Sequence, residues 1–324
     1  MSPVNEVVLI DPSVGAFSLN TNVSTSGQPA VNPAFLYLSE LGSREGRRTM
    51  QSKLGRVAKL SGASSIETCN WAQMRPHDVH AILLKLEAEN LSASTINNYL
   101  AALKGVAFQA WKEGLMTSET LQRIKAIKSR RSSRLPKGRC LTMTESSKLL
   151  SCHRGTSEIV DVRDRAVLSL MLGCGLRRAE LCGLTLEDFD FEERSLSLVG
   201  KGNKERTVYL PDVAFDNLLS WLAYRGGEEG PLFTRIYRGG HLIIQKPLSE
   251  SAVTLILKER LAIAGQKTAT PHDLRRTFAT RLIEDGNDLV KVQRAMGHAN
   301  VQTTARYDRR GEKDQRNMAK TVRI

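Results

Sequence analysis

The sequence predicts a mainly α-helical protein with a small antiparallel β-sheet, divided into an all-helical first domain and a mostly helical second domain. Apolar residues recur at helical spacing throughout residues 32–128, with no strand pattern. The segment SLSLVGKGNKERTVYL, residues 195–210, alternates on both sides of a Gly/Asn-rich turn, as β-hairpins do. A chain of 324 residues is long enough to build two ordinary domains with separate cores.

The charge of the chain indicates a polyanionic partner. The formal net charge is +13 and the isoelectric point is about 9.7, which favours nucleic acid. A hydrophobic content of 41% and a charged content of 25% are typical of soluble globular proteins. The charge therefore favours DNA or RNA binding over a merely soluble basic protein.

The lack of a membrane helix or signal-peptide pattern in the sequence, together with the cysteine pattern, favours the cytoplasm. No apolar run approaches the ~18–20 residues that a membrane helix needs. The N-terminal segment MSPVNEVVLIDPSVG lacks the basic region of a signal peptide. The five cysteines are odd in number and show no CxxC spacing, so we expect free thiols rather than a zinc site or a disulfide framework.

The first domain is predicted to follow a flexible leader, residues 1–31, which is rich in Ser, Thr, Asn, Val and Gly. Within residues 32–128 a short helix carries Phe35 to Leu41 and a second covers residues 44–60. The third begins at Pro76, a residue type suited to the first helical position. Ser92 or Ser94 caps the fourth, and the last begins near Thr117. These short amphipathic helices predict a compact helical domain.

Polar residues of this domain and of the following linker are candidate DNA contacts. Thr95, Asn97, Asn98 and Lys104 face either DNA or water, and the sequence leaves this open. Residues 129–139 form a basic linker in which Ser132, Ser133 and Pro136 break the helix. A charge run is often merely solvated, but here we favour phosphate contacts, which would let both domains clamp a duplex. The candidates in the linker are Arg130, Arg131 and Arg134.

The second domain is predicted to cover residues 140–324. Helices are expected from Thr144 onward, and at 161–171, 212–224, 249–264, 271–285, 289–296 and 303–307. Between them, GCGLRRAELCGLTLEDF predicts a glycine-bounded helical turn, and residues 195–210 predict the hairpin.

Two arginines of this domain are suited to hold a phosphate, because guanidinium matches phosphate geometry and stays charged. Arg177 begins a helix after Gly175, and Glu180 lies one turn on, able to orient it. Arg275 lies in the first turns of a helix for which Thr270 is the expected N-cap. Such fixed charges would stabilise the negative charge that grows on a scissile phosphate.

Acid, base and nucleophile candidates lie in the same domain. His272, near Arg275, can donate to a phosphate oxygen or move a proton, and His298 is a second donor after a glycine. Lys201 lies in the hairpin turn, where it could protonate a departing 5′ oxygen. Tyr307 lies in the polar stretch TTARYDRR and is the candidate nucleophile.

At these residues the sequence resembles the tyrosine recombinase, or phage integrase, family. GLRRAELCGL is similar to its first arginine box and VGKGNKERTVYL to its β-hairpin lysine segment. HDLRRTFAT and MGHANVQTTARYDR are similar to its second box, which ends in the nucleophilic tyrosine. The resemblance covers roughly residues 33–320. Arg276 departs from the pattern, since many members have histidine there.

The resemblance implies a SAM-like, helical core-binding domain followed by a mixed α+β catalytic domain with a C-terminal exchange tail. It implies a site-specific recombinase, either Xer-like or of a transposon or integrative element, that acts through a 3′-phosphotyrosyl bond and a Holliday junction. The implied catalytic residues are Arg177, Lys201, His272, Arg275, His298 and Tyr307, with Lys204 a weaker choice for the lysine.

The same resemblance implies which partners the protein has. Its DNA would be a duplex with inverted-repeat core sites, bound by a homo-tetramer or, alternatively, a hetero-tetramer. No metal or nucleotide cofactor is expected, in agreement with the lack of a P-loop motif in the sequence.

Two other functions stay open at the level of sequence. A type IB topoisomerase would share the chemistry and relax DNA by rotation, although the short linker and the tail favour strand exchange. A non-catalytic DNA-binding accessory protein is the second, and the presence of all six catalytic residues speaks against it.

Overall fold

The computed structural model describes residues 31–131, 138–153, 155, 157–200, 204–237 and 239–297. It divides into two compact units, residues 1–134 and 135–324. The described residues are mostly helical, as the sequence predicts, and contain two small antiparallel sheets where the sequence predicts one. Within this part of the chain, no helix is both long enough and apolar enough to cross a membrane.

The first unit is a helical bundle. Its helices are α1 (Pro33–Ser39), α2 (Arg44–Leu60), α3 (Pro76–Ala88), α4 (Ala93–Lys112) and α5 (Ser118–Lys125). Side chains of Asn32, Ser43, Ser92 and Thr117 accept hydrogen bonds from the first turns of α1, α2, α4 and α5, which fixes where these helices begin. Ser92 rather than Ser94 is therefore the cap of α4.

The apolar stripes of these helices meet in one core. Leu54, Leu83, Leu100 and Leu103 are fully buried, as is Trp71 in a short 3₁₀ turn between α2 and α3. The indole Nε1 of Trp71 donates to the carbonyl oxygen of Ile66 at 2.9 Å, so its one polar atom is satisfied inside the core.

The second unit is mixed α+β. Its helices are α6 (Met143–Ser151), α7 (Glu158–Gly173), α8 (Arg178–Gly183), α9 (Asp212–Arg225), α10 (Glu250–Ile263), α11 (Pro271–Glu284) and α12 (Leu289–Met296). Helix α6 begins one residue before the predicted Thr144, because Thr142 and Glu145 form a capping box. Helix α7 is longer than predicted and is buried on nearly all sides from Ala166 to Leu172, which makes it the central helix of this unit.

The predicted hairpin is present and gains a third strand. Strands β1 (Phe189–Asp190), β2 (Ser195–Gly200) and β3 (Lys204–Tyr209) form one antiparallel sheet in the order β1-β2-β3. Leu196 faces Val208 and Leu198 faces Arg206 across β2 and β3. A second antiparallel pair, β4 (Thr234–Ile236) and β5 (Leu242–Pro247), was not predicted from the sequence.

The start of the second unit is tied to α11. The backbone N–H of Arg139 donates to Asp273 Oδ1 at 3.0 Å, and that of Leu141 donates to Thr277 Oγ1 at 2.9 Å. Gly138 has φ of +114°, and a side chain there would collide with Asp273. Glycine is therefore required where the chain reaches α11.

A buried ion pair joins α7 to α10, and we expect Arg260→Met to destabilise the second unit by about 3 kcal/mol. Arg260 is completely buried and its Nη2 lies 2.9 Å from Asp161 Oδ1, so its loss would take a guanidinium away from a buried carboxylate. The change in unfolding free energy is measured by urea titration, with hydrogen exchange in peptides from α7 and α10 as the signal.

The matched control is Arg194→Met. The pair between Arg194 and Asp212 is exposed and the Arg194 guanidinium lies over the Phe215 ring, so removal of both contacts should cost no more than about 1 kcal/mol. Equal losses for the two variants would contradict the assignment of stability to the buried pair.

Candidate active site

The site is built around the beginning of α8. Arg177 is the N-cap residue, and the Glu180 carboxylate folds back onto it. The Arg177 backbone N–H donates to Glu180 Oε2 at 2.8 Å, and its Nη1 donates to Oε1 at 2.5 Å. The Arg177 side chain is still 37% exposed, so it can meet a ligand. The prediction that Glu180 orients Arg177 is confirmed.

Glu180 has a second arginine partner that the sequence analysis missed. Arg206 on β3 donates through Nη1 to Oε1 and through Nη2 to Oε2, both at 2.8 Å. Both carboxylate oxygens of Glu180 therefore accept from two donors each. The signal in the sequence that could have pointed to Arg206 was the alternation of side chains along β3, which places Arg206 on the inward face with Val208.

The arginines decide the ionisation of Glu180. Burial by itself would raise its pKa, but hydrogen bonds from Arg206 and Arg177 and the charge of Arg206 outweigh burial and lower the pKa to about 2. The carboxylate is therefore charged at any physiological pH and can hold both guanidinium groups.

Arg275 lies deeper than Arg177. Its side chain is only 3% exposed, and Nη1 donates to the carbonyl oxygen of Gly175 at 2.5 Å. Nη2 donates to the carbonyl oxygen of Met296. Arg275 thus ties the turn before α8 to the end of α12, while its Nη1 remains 3.9 Å from Glu180 Oε2.

The end of α12 is held from the other side by Arg177. Gly297 caps α12 in the left-handed conformation, with φ of +60°, and its carbonyl oxygen accepts from Arg177 Nη2 at 3.0 Å. The structure therefore brings Arg177, Arg275 and the residue that precedes His298 together.

His272 lies exposed in the first turn of α11. Thr270 caps this helix and Asp273 completes the capping box, as predicted. Desolvation of part of the ring lowers the His272 pKa, the charges of Arg276, Arg275 and Arg177 lower it further, and Asp273 partly opposes them. The imidazole is therefore neutral at neutral pH and able to accept a proton.

Four predicted site residues, Lys201, His298, Tyr307 and Arg134, lie outside the described residues. In sequence, Lys201 belongs to the segment that joins β2 to β3, and His298 directly follows Gly297. Tyr307 lies nine residues further on, and the expected short helix at 303–307 is also outside the described part.

Three of the predicted DNA contacts bind other parts of the first unit. The Asn97 side chain accepts from the Arg130 N–H at 2.7 Å and donates to the Arg130 carbonyl oxygen at 2.9 Å. Lys104 Nζ donates to the carbonyl oxygens of Lys125, the last residue of α5, and of Ile127 just after it, and Arg130 pairs with Glu87. Their positions fix the chain where the linker begins, and DNA contact by these three stays a prediction.

The other predicted contacts of this unit are more accessible. Asn98 and Arg131 are exposed, and Thr95 is half-buried with its hydroxyl 2.8 Å from that of Ser92. Thr95 and Asn98 both project from the first turns of α4. These three residues could meet a phosphate backbone without breaking a contact that holds the unit together.

Comparison with known families matches both halves of the chain. The model of the phage integrase family matches residues 139–313. The model of the phage integrase N-terminal SAM-like domain matches residues 36–114.

Similar individual proteins cover most of the chain. Tyrosine recombinase XerC of Agrobacterium fabrum is 34% identical over 83% of this chain and 82% of its own length. Tyrosine recombinase XerA of Pyrococcus furiosus is 36% identical over 72% of this chain and 75% of its own length. Two tyrosine recombinases are thus similar to this chain along most of their lengths.

Solved structures share the fold. The Tn1549 transposon integrase in complex with transposon right-end DNA aligns over 90% of this chain and 99% of its own, with TM-score 0.66 and 20% identity. A lambda integrase tetramer bound to a Holliday junction aligns over 86% of this chain and 76% of its own, with TM-score 0.65 and 19% identity.

The pKa of Glu180 predicts how stability depends on acid. Because the folded pKa lies below the unfolded value of 4.5, the unfolded chain binds more protons, and this stabilisation is lost as pH falls from 4.5 toward 2. Glu180→Gln should be less stable than the parent by about 3 kcal/mol at pH 7, and the gap should shrink below pH 4.5.

Urea unfolding followed by circular dichroism between pH 7 and pH 3 measures this gap. Glu193→Gln, at an exposed position near the same sheet, is the control and should match the parent throughout. A gap for Glu180→Gln that stays constant down to pH 3 would contradict the assigned ionisation.

Proposed function

The chain belongs to the phage integrase family of tyrosine recombinases, and on that premise we propose which residues it uses to cut and rejoin DNA. It is a site-specific recombinase, an enzyme that cleaves DNA strands and transfers them to new partners. The observation that supports the residue roles is the convergence of Arg177 and Arg275 on the turn before α8 and the end of α12.

Tyr307 is the nucleophile in this proposal. Its phenolic oxygen bonds to the scissile phosphorus, and the bond from phosphorus to the 5′ oxygen breaks. Lys201 supplies the proton that this oxygen needs to leave as a hydroxyl, with Lys204 as the alternative donor. The product is a 3′-phosphotyrosyl bond and a free 5′ hydroxyl.

Arg177 and Arg275 neutralise the phosphate during this step. Arg177 is partly exposed and can bind a non-bridging oxygen directly while Glu180 holds its other edge. Arg275 contributes its charge from a buried position. When DNA binds, a hydrogen bond to a phosphate oxygen replaces one of its hydrogen bonds to a carbonyl oxygen. The two charges together oppose the negative charge that grows in the transition state.

The histidines assist the proton transfers. A neutral His272 can accept the phenolic proton of Tyr307 or hydrogen-bond a phosphate oxygen, in agreement with its lowered pKa. His298, next to the Gly297 carbonyl that Arg177 holds, donates a hydrogen bond to the same phosphate. Neither role needs a metal ion or a nucleotide.

Rejoining reverses the chemistry with a new strand. The freed 5′ hydroxyl of a partner strand attacks the phosphotyrosyl bond, so the bond energy is conserved and a Holliday junction forms. Two duplexes exchange strands, which requires four protomers on inverted-repeat core sites. A homo-tetramer, or a hetero-tetramer with a related recombinase, would be held by exchange of the tail after Tyr307. The lambda integrase neighbour was solved as a tetramer on such a junction.

The two units share the DNA binding. We assign direct phosphate contacts to Thr95, Asn98, Arg131 and Arg134. We assign Asn97, Lys104 and Arg130, which hold the chain where the linker begins, to DNA contacts at that point. The protein would act in the cytoplasm on integration, excision or resolution of DNA, consistent with its five free cysteines.

Tyr307→Phe should abolish the covalent adduct and leave DNA binding nearly intact, because the variant loses one oxygen and no charge. A nicked substrate that traps the adduct, resolved on a denaturing gel, measures the first property, and a mobility-shift titration measures the second. Adduct formation by the Phe variant would place the nucleophile elsewhere.

A plasmid with two copies of the target site should yield recombinant products with the parent protein. Inverted repeats in the DNA next to the gene are the first sites to try. Plasmid relaxation without any recombinants would favour a topoisomerase. DNA binding with neither product would favour an accessory protein.

A further inference from the structure

Arg206 is a charged residue on the buried face of a strand. Along β3, Glu205, Thr207 and Tyr209 are exposed, whereas Arg206 and Val208 face inward. The Arg206 side chain is 13% exposed and lies opposite the buried Leu198. A guanidinium at such a position is costly unless a carboxylate meets it. Glu180 is that carboxylate.

The contact between the two residues fixes the plane of the carboxylate. Arg206 binds both oxygens of Glu180 through its two terminal nitrogens at 2.8 Å, in the fork geometry that guanidinium and carboxylate share. This leaves one side of each oxygen for Arg177, whose Nη1 takes Oε1 and whose backbone N–H takes Oε2. Without Arg206, Glu180 could turn toward Arg177 or toward Arg275, 3.9 Å away.

Arg206 also lies close to Gly297, the second hydrogen-bonding partner of the Arg177 guanidinium. A Cβ atom at Gly297 would lie 2.9 Å from Arg206 Nη1 and 3.1 Å from its Cδ and Cζ. The Gly297 carbonyl oxygen is the acceptor for Arg177 Nη2. Both hydrogen-bonding partners of the Arg177 guanidinium, Glu180 and Gly297, therefore rest against Arg206.

We propose that Arg206 is the positioning residue of the phosphate site, acting through Glu180 and Gly297 to hold Arg177 toward the scissile phosphate. This inference rests on the proposed role of Arg177 in charge neutralisation. It assigns Arg206 no contact with DNA. It also means that β3, and not α8 alone, determines where the Arg177 charge lies.

The test compares single-turnover cleavage of a nicked target site by the parent, Arg206→Gln, Arg206→Lys and the control Arg194→Gln. Arg206→Gln should cleave about a hundredfold more slowly at saturating protein, since small misplacement of a catalytic charge has effects of that order. Arg206→Lys keeps the charge but replaces the two-nitrogen fork with a single ammonium nitrogen, so its loss should be smaller. DNA affinity should change little, and Arg194→Gln should match the parent.

Substituted phosphates separate positioning of a charge from other effects. A methylphosphonate at the scissile position lacks one charged oxygen and depends less on arginine, so the defect of Arg206→Gln relative to the parent should shrink there to a few-fold. A 5′-bridging sulfur leaves without a proton, so it should not reduce the defect.

Each outcome of this comparison decides the inference. Equal losses on all three substrates would reduce Arg206 to a purely structural residue, and rescue by sulfur would connect it to the leaving-group proton instead. Either overturns the proposal, as does a fully active Arg206→Gln. If that variant does not fold, the substrate dependence of Arg206→Lys decides in the same way. A parent that cleaves no substrate would instead contradict the proposed function itself.

Discussion

The buried carboxylate of Glu180 is the interaction on which the candidate site depends. Arg177 at the N-cap of α8 and Arg206 on β3 bind it directly, and a third arginine, Arg275 from α11, lies 3.9 Å away. Three guanidinium groups so close together would repel one another in a partly dry environment. The negative charge of Glu180 makes their convergence tolerable, and its pKa of about 2 keeps that charge in place.

The residues proposed for chemistry also hold the fold together. Arg275 binds carbonyl oxygens at Gly175 and Met296, and Arg177 binds the carbonyl oxygen of Gly297. Gly175 has φ of +61°, and a side chain there would collide with Phe278. Glycine at this position therefore lets the turn before α8 pack closely against α11, the helix that carries Arg275. Substitutions in this region will change stability and activity together, so activity alone does not identify a catalytic group.

Local signals made most of the fold predictable. Helices α2 and α12 begin and end at the predicted residues because capping residues mark their ends, Ser43 for the start of α2 and Gly297 for the end of α12. The β4–β5 pair escaped prediction because β4 has three residues and its pairing contains a bulge. Contacts far apart in sequence, such as Asn97 with Arg130, are not encoded in any local pattern. Arg206 is intermediate, since alternation places it inward but does not name its partner.

The same positive charges prepare the site for both binding and proton transfer. Partial burial lowers the pKa of His272, and Arg276, Arg275 and Arg177 lower it further, so the free enzyme holds a neutral imidazole. A bound phosphate would offset part of that positive charge, and an anion near imidazole raises its pKa. His272 would then hold a proton more strongly once DNA occupies the site, which is when Tyr307 must give up its own. Under the proposed mechanism, substrate binding therefore makes His272 a stronger base through the charge of the bound phosphate.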